Sequence, residues 1–308
     1  MKKQLFLFIF FLFFLLPSSS LAQEFSLSLT PPVVHLIARP GKKIIQTYEL
    51  ENPTPNTIYL TTSILPFEPA DDQGNPQYQI NPPSPLTPQP QFSLQNTNLS
   101  LGENFALSAN QKQQLVLKIS LPENLPETDY YYTLFIEKVP SQANGQSQTA
   151  IQPRLGSHLL ISASSSVDFP ASLLPSLEIK NGLWGLPIFD LFLGQPQILI
   201  KLQNPNSHLA YAQADLTLLR HGQIKQTQTL RPDRVLAGSI RQASCTSQDN
   251  CHFSPPFWPG RYQVKLSLPD QELIQSFYTL PYYLLGLCLL GLLLFFFIKL
   301  PFLSRIKK

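Results

Sequence analysis

Prolines are spread so densely through the middle of this chain that a long helix cannot form there. The sequence contains 30 of them, and a proline inside a helix removes a hydrogen bond and clashes with the preceding turn. Between the two termini, no stretch keeps a helical period of apolar residues for three turns. The short segments between prolines are rich in β-branched and aromatic residues, which is typical of strands. We therefore predict an all-β fold.

Two series of short segments carry the pattern of half-buried strands. From Leu115 to Leu121, apolar residues alternate with the polar Lys118 and Ser120, so one face suits a core and the other suits water. Strands at about ten-residue spacing are typical of an immunoglobulin-like β-sandwich, and each series suits one such domain. The first series is Val33–Ala38, Ile44–Glu51, Thr57–Leu65, Gln113–Leu121, Tyr130–Val139 and Leu159–Ala163, and the second is Gln197–Gln203, Ala212–Arg220, Ile224–Leu230, Gly238–Ala243, Arg261–Leu268 and Glu272–Tyr278.

The prolines also mark the boundaries of these domains. Seven of them fall between Phe67 and Gly102, which predicts a long excursion from the first sandwich, with a hairpin at Asp72–Asn75. The spacing of the acidic residues there does not match a calcium-binding loop, so a plain turn is favoured. A second proline-rich stretch, in which Trp184 is expected to pack between the modules, predicts a junction. The predicted ranges are a first sandwich over residues 23–168 with the excursion at about 67–102, a junction over 169–187 and a second sandwich over 188–280.

The N-terminus has the three zones of a secretory signal. Lys2 and Lys3 come first, an unbroken apolar run follows from Leu5 to Leu16, and small residues continue to Ala22. Residues 1–22 are therefore predicted to be a signal peptide. The mature protein is expected to begin at Gln23, outside the cytoplasm.

The other end of the chain predicts a membrane anchor. No charge interrupts the run from Tyr282 to Ile298, and residues 281–303 approach the roughly 20 residues that cross a bilayer. The short basic tail over residues 304–308 is expected to stay in the cytoplasm, so the protein is predicted to be a single-pass protein of the cell membrane with extracytoplasmic N-terminal domains. A shorter buried helix is the alternative for this apolar run.

The net charge gives no support to nucleic-acid binding. The whole chain carries a formal charge of +3, but six of its 22 Lys and Arg lie in the two terminal segments. The remaining part has 16 basic and 19 acidic residues, a net charge of −3. A nucleic-acid-binding domain needs a basic face, so no nucleic-acid partner is predicted.

Two cysteines in the exported part are spaced for a short covalent loop. Cys245 and Cys251 lie in a polar stretch, and in an oxidising compartment a disulfide between them is the simplest interpretation. Metal binding with His252 and a pair of free thiols are the alternatives. The third cysteine, Cys288, lies inside the predicted anchor.

The sequence contains no recognisable catalytic motif. Its histidines are scattered, with His35 in an apolar strand and His221 in a turn, and no zinc-protease, serine-hydrolase or phosphate-binding signature is present. We predict a protein that is not an enzyme and has no catalytic, metal or cofactor-binding residues. An extracellular hydrolase with a spatial constellation of residues is the competing interpretation.

Several phrases of the sequence, taken together, resemble a known group of bacterial surface proteins. In the first half these are Arg39–Lys43 leading into Tyr48–Asn52, then Asp72–Tyr78, Tyr130–Tyr132 and Arg154–Leu160, and in the second half Leu202–His208 and Pro256–Tyr262. Their order is similar to that of the WxL-interacting family and relatives with pilus-chaperone-like immunoglobulin folds. The resemblance implies attachment outside a bacterial cell, and it transfers no binding residue.

Two functions are compatible with these observations. The first is a membrane-anchored, non-catalytic binding or scaffold protein that engages cell-wall polymer or another surface protein through open strand edges. The alternative is a membrane-tethered chaperone or assembly factor for exported surface proteins. Sequence alone does not identify the partner.

Overall fold

The structure is a computed structural model, and it describes most of the chain between residues 26 and 295. The described ranges are 26–80, 88–96, 98–139, 153–166, 172–180, 182, 186–190, 196–231, 233–245, 251–253, 258–282 and 286–295. The predicted signal peptide at 1–22, Trp184 and the basic tail at 304–308 lie outside these ranges. Strands dominate the described residues, which confirms the prediction of a mostly β, sandwich-like fold.

Ten strands among the described residues of the first half form two facing sheets. One sheet has the order β1-β3-β8-β6, and the other has the order β2-β10-β9-β4-β5 with β7 also paired to β4. The chain changes sheets near its start, because β1 pairs antiparallel with β3 whereas β2 pairs parallel with β10. These strands are β1 (Ser28–Thr30), β2 (Val33–Ala38), β3 (Lys43–Asn52), β4 (Ile58–Pro69), β5 (Pro76–Tyr78), β6 (Gln91–Leu94), β7 (Asn104–Leu107), β8 (Gln111–Ser120), β9 (Asp129–Lys138) and β10 (Arg154–Ala163).

Alternating side chains from both sheets fill the first core. On β8, Leu115, Leu117 and Ile119 are fully buried while the residues between them are not, as the sequence pattern predicts. Leu134 on β9 and Leu159 on β10 meet them from the opposite sheet. This packing of two apolar faces is the main source of stability in a sandwich.

Ten further strands make up the second half. They form a sheet β11-β13-β18, a facing sheet β12-β20-β19-β15-β16 and a separate pair β14-β17, around a core that includes Phe189, Phe253 and Phe277. The strands are β11 (Leu174–Lys180), β12 (Ile188–Asp190), β13 (Gln197–Gln203), β14 (Ala210–Ala212), β15 (Asp215–Arg220), β16 (Gln223–Thr229), β17 (Asp233–Val235), β18 (Ile240–Gln242), β19 (Gly260–Ser267) and β20 (Glu272–Leu280).

Both predicted hairpin turns are present. His221 and Gly222 have φ angles of 51° and 74° between β15 and β16, as a two-residue hairpin turn requires. Between β4 and β5, the Asp71 carboxylate accepts hydrogen bonds from the Asn75 side chain and from the main-chain N–H groups of Gln73 and Asn75. These bonds stabilise the charged form and lower the pKa of Asp71, first of all through the Asn75 side chain. Asp71 therefore stabilises the turn of this hairpin.

The predicted disulfide between Cys245 and Cys251 is present, and it lies inside the second sandwich. Both cysteines are buried, with a sequence separation of six. The main chain of Cys251 pairs with Ile198 on β13, and that of Cys245 pairs with Leu230 just after β16. The bond therefore closes a short loop whose two ends pair with different segments of the second core.

Removal of the disulfide is expected to weaken the second sandwich. A loop this short limits the unfolded chain only modestly, so the double substitution of Cys245 and Cys251 by alanine should lower the free energy of unfolding by about 2 kcal/mol. Urea denaturation of the double variant and of the parent chain, with the parent's disulfide kept oxidised, measures this difference in stability. The matched control is Cys288→Ala, since Cys288 is exposed and unpaired in the described part of the chain. Equal stability of the double variant and the control would contradict the prediction.

The C-terminal prediction is not confirmed. Instead of a helix over 281–303, the structure describes a helix, α1, at residues 286–295, and residues 283–285 and 296–308 lie outside the description. None of the helices in the described ranges combines the length and the apolarity that crossing a membrane requires.

Candidate functional site

The two halves of the molecule meet at a buried carboxylate at the start of β9. The side chain of Asp129 has no solvent exposure. One carboxylate oxygen, Oδ1, accepts a hydrogen bond from His208 Nδ1 at 2.9 Å. The other, Oδ2, accepts from the Leu209 main-chain N–H at 2.6 Å and from the Tyr131 hydroxyl at 2.8 Å. A carboxylate from the first half is thus held by two residues of the second half.

Tyr131 extends this contact further into the second half. Its hydroxyl oxygen also accepts a hydrogen bond from the Ala237 N–H at 2.8 Å. Burial, together with the neighbouring Asp129 charge, raises the pKa of Tyr131 far above its usual value, so its hydroxyl keeps its proton and can donate to Asp129. Asp129, Tyr131, His208, Leu209 and Ala237 are called the interdomain joint below.

An apolar cluster lies beside the interdomain joint. Phe67 and Leu160 from the first half are buried against Leu209 from the second. Tyr131 packs on Phe67 with ring centroids 5.8 Å apart. The apolar side chains therefore pack at the same small interface as the buried hydrogen bonds and exclude water from them, which strengthens those bonds.

Two polar contacts flank the joint. On one flank, Lys201 Nζ forms an ion pair with Asp72 at 2.6 Å, which places the β4–β5 hairpin against the second half. On the other flank, His35 Nδ1 lies 3.1 Å from the Tyr211 hydroxyl. Each of these partly exposed contacts contributes less stability than the buried joint, but they connect the first half to the second at two further points.

A cleft of about 460 Å³ opens beside the joint. Strands β4 and β9 pair as far as Pro66 and Tyr132, and they then separate because β4 continues as a hairpin with β5. The cleft occupies the space between the separated strand ends, and Ala237 of the second half borders it. Its lining residues are Pro66, Phe67, Glu68, Pro69, Gln79, Gln89, Thr128, Asp129, Tyr130, Tyr131, Tyr132 and Ala237.

The lining combines aromatic rings, prolines and amides. Tyr132 is held by Phe92 in an edge-to-face contact at 4.7 Å and donates a weak hydrogen bond to Gln89 at 3.4 Å. Gln79 donates to the exposed Glu68 carboxylate at 2.8 Å. The described lining contains no Lys, Arg or His. The cleft thus offers stacking surfaces and hydrogen-bonding groups for an uncharged or cationic ligand, and it is poorly suited to an anionic one.

The structure brings together histidines that the sequence scatters. His35 lies near the joint, and His158 donates to or accepts from Thr133 Oγ1 at 2.9 Å while its ring packs 5.0 Å from that of Phe67. His208 binds Asp129, whereas His221 stays in its turn. Within the described residues, no three His, Cys, Asp or Glu side chains are grouped in a way that could hold a metal ion. The histidines at this interface therefore serve contacts between the strands and between the two halves.

Sequence patterns did not identify Asp129 or Ala237 as interface residues. The neighbouring run Tyr130–Tyr132 belongs to a predicted strand and to the family resemblance, and neither predicts a contact between the two halves. An acidic residue at the first position of an otherwise apolar strand was the available signal, because such a residue is rarely buried without a partner.

Two half-buried histidines predict that acid weakens the protein. Burial lowers the pKa of both His35 and His158 below 6.5; for His35 the Asp129 charge opposes this shift and Arg234 adds to it. The native state therefore favours the neutral rings, and the stability gained is fully present above pH 6.5 and lost as the pH falls below it. We expect the urea midpoint to decrease between pH 7.5 and 5.5. The double substitution of His35 and His158 by glutamine should flatten this decrease, and an unchanged slope would contradict the assignment.

Comparisons with known proteins return structures but no sequence family. No protein family matches the chain, and no curated protein does. The solved CsuC–CsuE chaperone and adhesin-subunit complex of Acinetobacter baumannii aligns with 12% identity over 83% of this chain and 100% of that chain, with a TM-score of 0.36. The chaperone DraB of E. coli aligns with 14% identity over 82% and 97%, and the Salmonella enterica SafA pilin–SafB chaperone complex with 15% over 83% and 96%, each with a TM-score of 0.34.

These neighbours are pilus chaperones and their complexes, and membership of the WxL-interacting family stays a prediction. Identities and TM-scores this low leave the cleft to be interpreted from its own residues.

Proposed function

We propose that this protein is a non-catalytic chaperone or assembly factor that holds an extended segment of another exported protein in the cleft. The cleft itself is the observation that carries the proposal. It lies between two separated strand ends, so its walls are the edges and side chains that an extended peptide would contact. Its aromatic rings and prolines provide stacking surfaces, and Gln79 and Gln89 provide amide groups for main-chain hydrogen bonds.

The groups that could perform chemistry in the cleft are already engaged. Asp129 is buried and its two carboxylate oxygens accept three hydrogen bonds within the joint. Glu68 is exposed and hydrogen-bonded to Gln79. A nucleophile paired with a base is not found among the described lining residues, and acyl transfer or hydrolysis would require one. Binding is therefore the activity that these residues support.

A polypeptide partner is favoured over a wall polymer. The scaffold function predicted from the sequence requires a surface for a polymer, and the aromatic rings and amides of the cleft would suit an uncharged polymer as well as a peptide. The strand ends on either side of the cleft are what favours a peptide. The cleft fits an extended peptide through the strand geometry given above. Of the two functions derived from the sequence, the chaperone or assembly role thus becomes the main proposal.

We also propose that the protein works outside the cytoplasm, attached to the membrane by its C-terminal apolar segment. Helix α1 supports this, since each of its large apolar side chains from Leu287 to Phe295 is at least half exposed. A helix that is apolar on every side and uncovered by protein is stable in lipid. The basic residues that follow in the sequence would hold the tail on the cytoplasmic side.

Site-specific photocrosslinking in the cells that export the protein tests the peptide-binding role. A photoreactive amino acid replaces Glu68, whose exposed side chain lines the cleft. The control places the same amino acid at Lys225, which is exposed on the edge strand β16 of the second half. We expect covalent adducts with one or a few exported proteins from position 68 and none from position 225.

The outcome also separates a chaperone from a scaffold. If the crosslinked protein is degraded or aggregates when this chain is deleted, the chaperone role is supported. If it stays folded but leaves the cell surface, the scaffold role is supported instead. Equal crosslinking from both positions, or none from position 68, would remove the cleft as the binding site.

A further inference from the structure

We propose that the end of the second sandwich from which α1 leaves rests on the membrane surface, with Trp258 in the headgroup layer. This inference depends on the proposed membrane attachment and adds to it the face that contacts lipid. The residues Arg220, Trp258, Arg261, Tyr278 and Leu280 are called the membrane-facing end.

The strand register places these residues at one end of the sandwich. Gly260, the first residue of β19, pairs with Thr279 near the end of β20. On the other side of β20, Leu280 pairs with Asp190, the last residue of β12. Arg220 ends β15, and its guanidinium donates a hydrogen bond to the Pro259 carbonyl at 3.1 Å. Termini of the four strands β12, β15, β19 and β20 therefore lie where the chain leaves the sandwich.

Large apolar side chains are exposed at this end. Trp258 is 70% exposed, Tyr278 is 46% and Leu280 is 38%. Hydrogen bonds fix the main chain of Trp258. Its main-chain N–H donates to the Tyr262 hydroxyl at 2.9 Å, and its main-chain carbonyl accepts from Thr279 Oγ1 at 2.6 Å. An ordered main chain that holds an indole ring out from the surface is typical of a residue covered by a partner or a membrane.

Cationic side chains accompany these rings. The Arg220 guanidinium lies 5.6 Å from the centre of the Tyr262 ring. Arg261 is exposed and donates to Ser276 Oγ at 3.0 Å. Trp and Tyr prefer the boundary between lipid chains and headgroups, and arginine reaches from there to phosphate groups. The composition of this end thus matches a bilayer surface.

The connection to α1 brings the membrane-facing end close to the bilayer. Five residues of sequence, 281–285, separate the end of β20 from the start of α1. Tyr282 is bound to the sandwich, since its N–H donates to Asp190 at 3.1 Å and its hydroxyl donates to the Ile188 carbonyl at 2.7 Å. With so short a connection, a sandwich whose helix enters lipid cannot stand far from the surface.

Depth-dependent fluorescence quenching of the full chain in vesicles tests this inference. The sequence contains two tryptophans, so the substitution Trp184→Phe leaves Trp258 as the only one. The vesicles contain phosphatidylcholine and phosphatidylglycerol with a nitroxide placed either near the headgroup or near the chain end. We expect the headgroup nitroxide to reduce Trp258 emission by roughly half and the deep nitroxide to have a much smaller effect.

Two controls make the result decisive. Flotation with the vesicles shows whether the chain is attached at all, and a chain that does not float would overturn both the attachment and this inference. If the chain floats but its Trp258 is quenched by aqueous iodide and by neither nitroxide lipid, the membrane attachment is supported. The proposal that the membrane-facing end rests on the bilayer is then contradicted. The variant Trp258→Phe retains only Trp184, and its emission shows how strongly the same nitroxide lipids quench a tryptophan elsewhere in the chain.

Discussion

Replacing Asp129 by alanine is expected to lower the free energy of unfolding by about 3–5 kcal/mol and to free the two sandwiches to move against each other. The carboxylate is fully buried and accepts hydrogen bonds from His208, Leu209 and Tyr131. Its removal leaves three buried donors without an acceptor, and breaking a buried polar pair from one side costs this much in other proteins.

Two measurements check this expectation. Urea denaturation gives the stability, and the distance between spin labels at Lys43 and Lys225, in a background where Cys288 is alanine, reports the arrangement of the halves. The label distances should broaden in Asp129→Ala. The matched control is Asp215→Ala, because that carboxylate is exposed and accepts one side-chain hydrogen bond, from Thr229, so its loss should cost less than about 1 kcal/mol. Indistinguishable behaviour of the two variants would show that the joint does not hold the halves together.

Replacing Asn52 by alanine is expected to destabilise the first sandwich by about 2–4 kcal/mol. This side chain is fully buried. Its amide group donates to the main-chain carbonyls of Asn56, Leu107 and Ser108. Its carbonyl oxygen accepts from the N–H and hydroxyl groups of Thr54. Alanine would remove all of these hydrogen bonds, and the buried Leu107 carbonyl would lose its Asn52 partner, whereas the groups of the exposed Asn56 and Ser108 can turn to water. Each unsatisfied buried group costs about 1–3 kcal/mol.

The chain provides both a comparison and a control for this prediction. Asn204 has the same role in the second half, because it is buried and donates to the carbonyls of His208 and Val235. Its replacement should therefore also disturb the joint through His208, whereas Asn52→Ala should leave the label distances unchanged. Asn56→Ala is the control, since Asn56 is exposed and uses its main-chain carbonyl to bind Asn52. A loss of stability in Asn56→Ala as large as in Asn52→Ala would contradict this account.

The strands were predictable because their signal is local. Alternation along β8 follows from the pleat of a single strand, and the predicted bounds of β2 agree with the structure. The turn at His221 and Gly222 requires only two adjacent residues with positive φ. The disulfide needed only the spacing of Cys245 and Cys251 and an oxidising compartment.

The joint and the cleft were not predictable because they depend on distant parts of the chain. Asp129 and His208 are 79 residues apart, and no pattern near either residue identifies the other. The cleft exists because β4 stops pairing with β9 after Pro66 and pairs with β5 instead. The apolar periodicity of β4 does not predict which of these two strands it pairs with. The C-terminal prediction relied on hydropathy and on the charges that follow the apolar run, and the described helix covers ten residues of the predicted range.

The position of β20 determines how the molecule responds to force. This strand pairs with β19 on one side and with β12 on the other, and it continues almost directly into Tyr282 and α1. A pull on the C-terminus therefore acts along the strand, so the hydrogen bonds of both ladders bear the load together instead of opening one after another. Tension between a cargo in the cleft and an anchored helix would be carried by a stiff tether that yields abruptly, above a threshold, and does not stretch gradually.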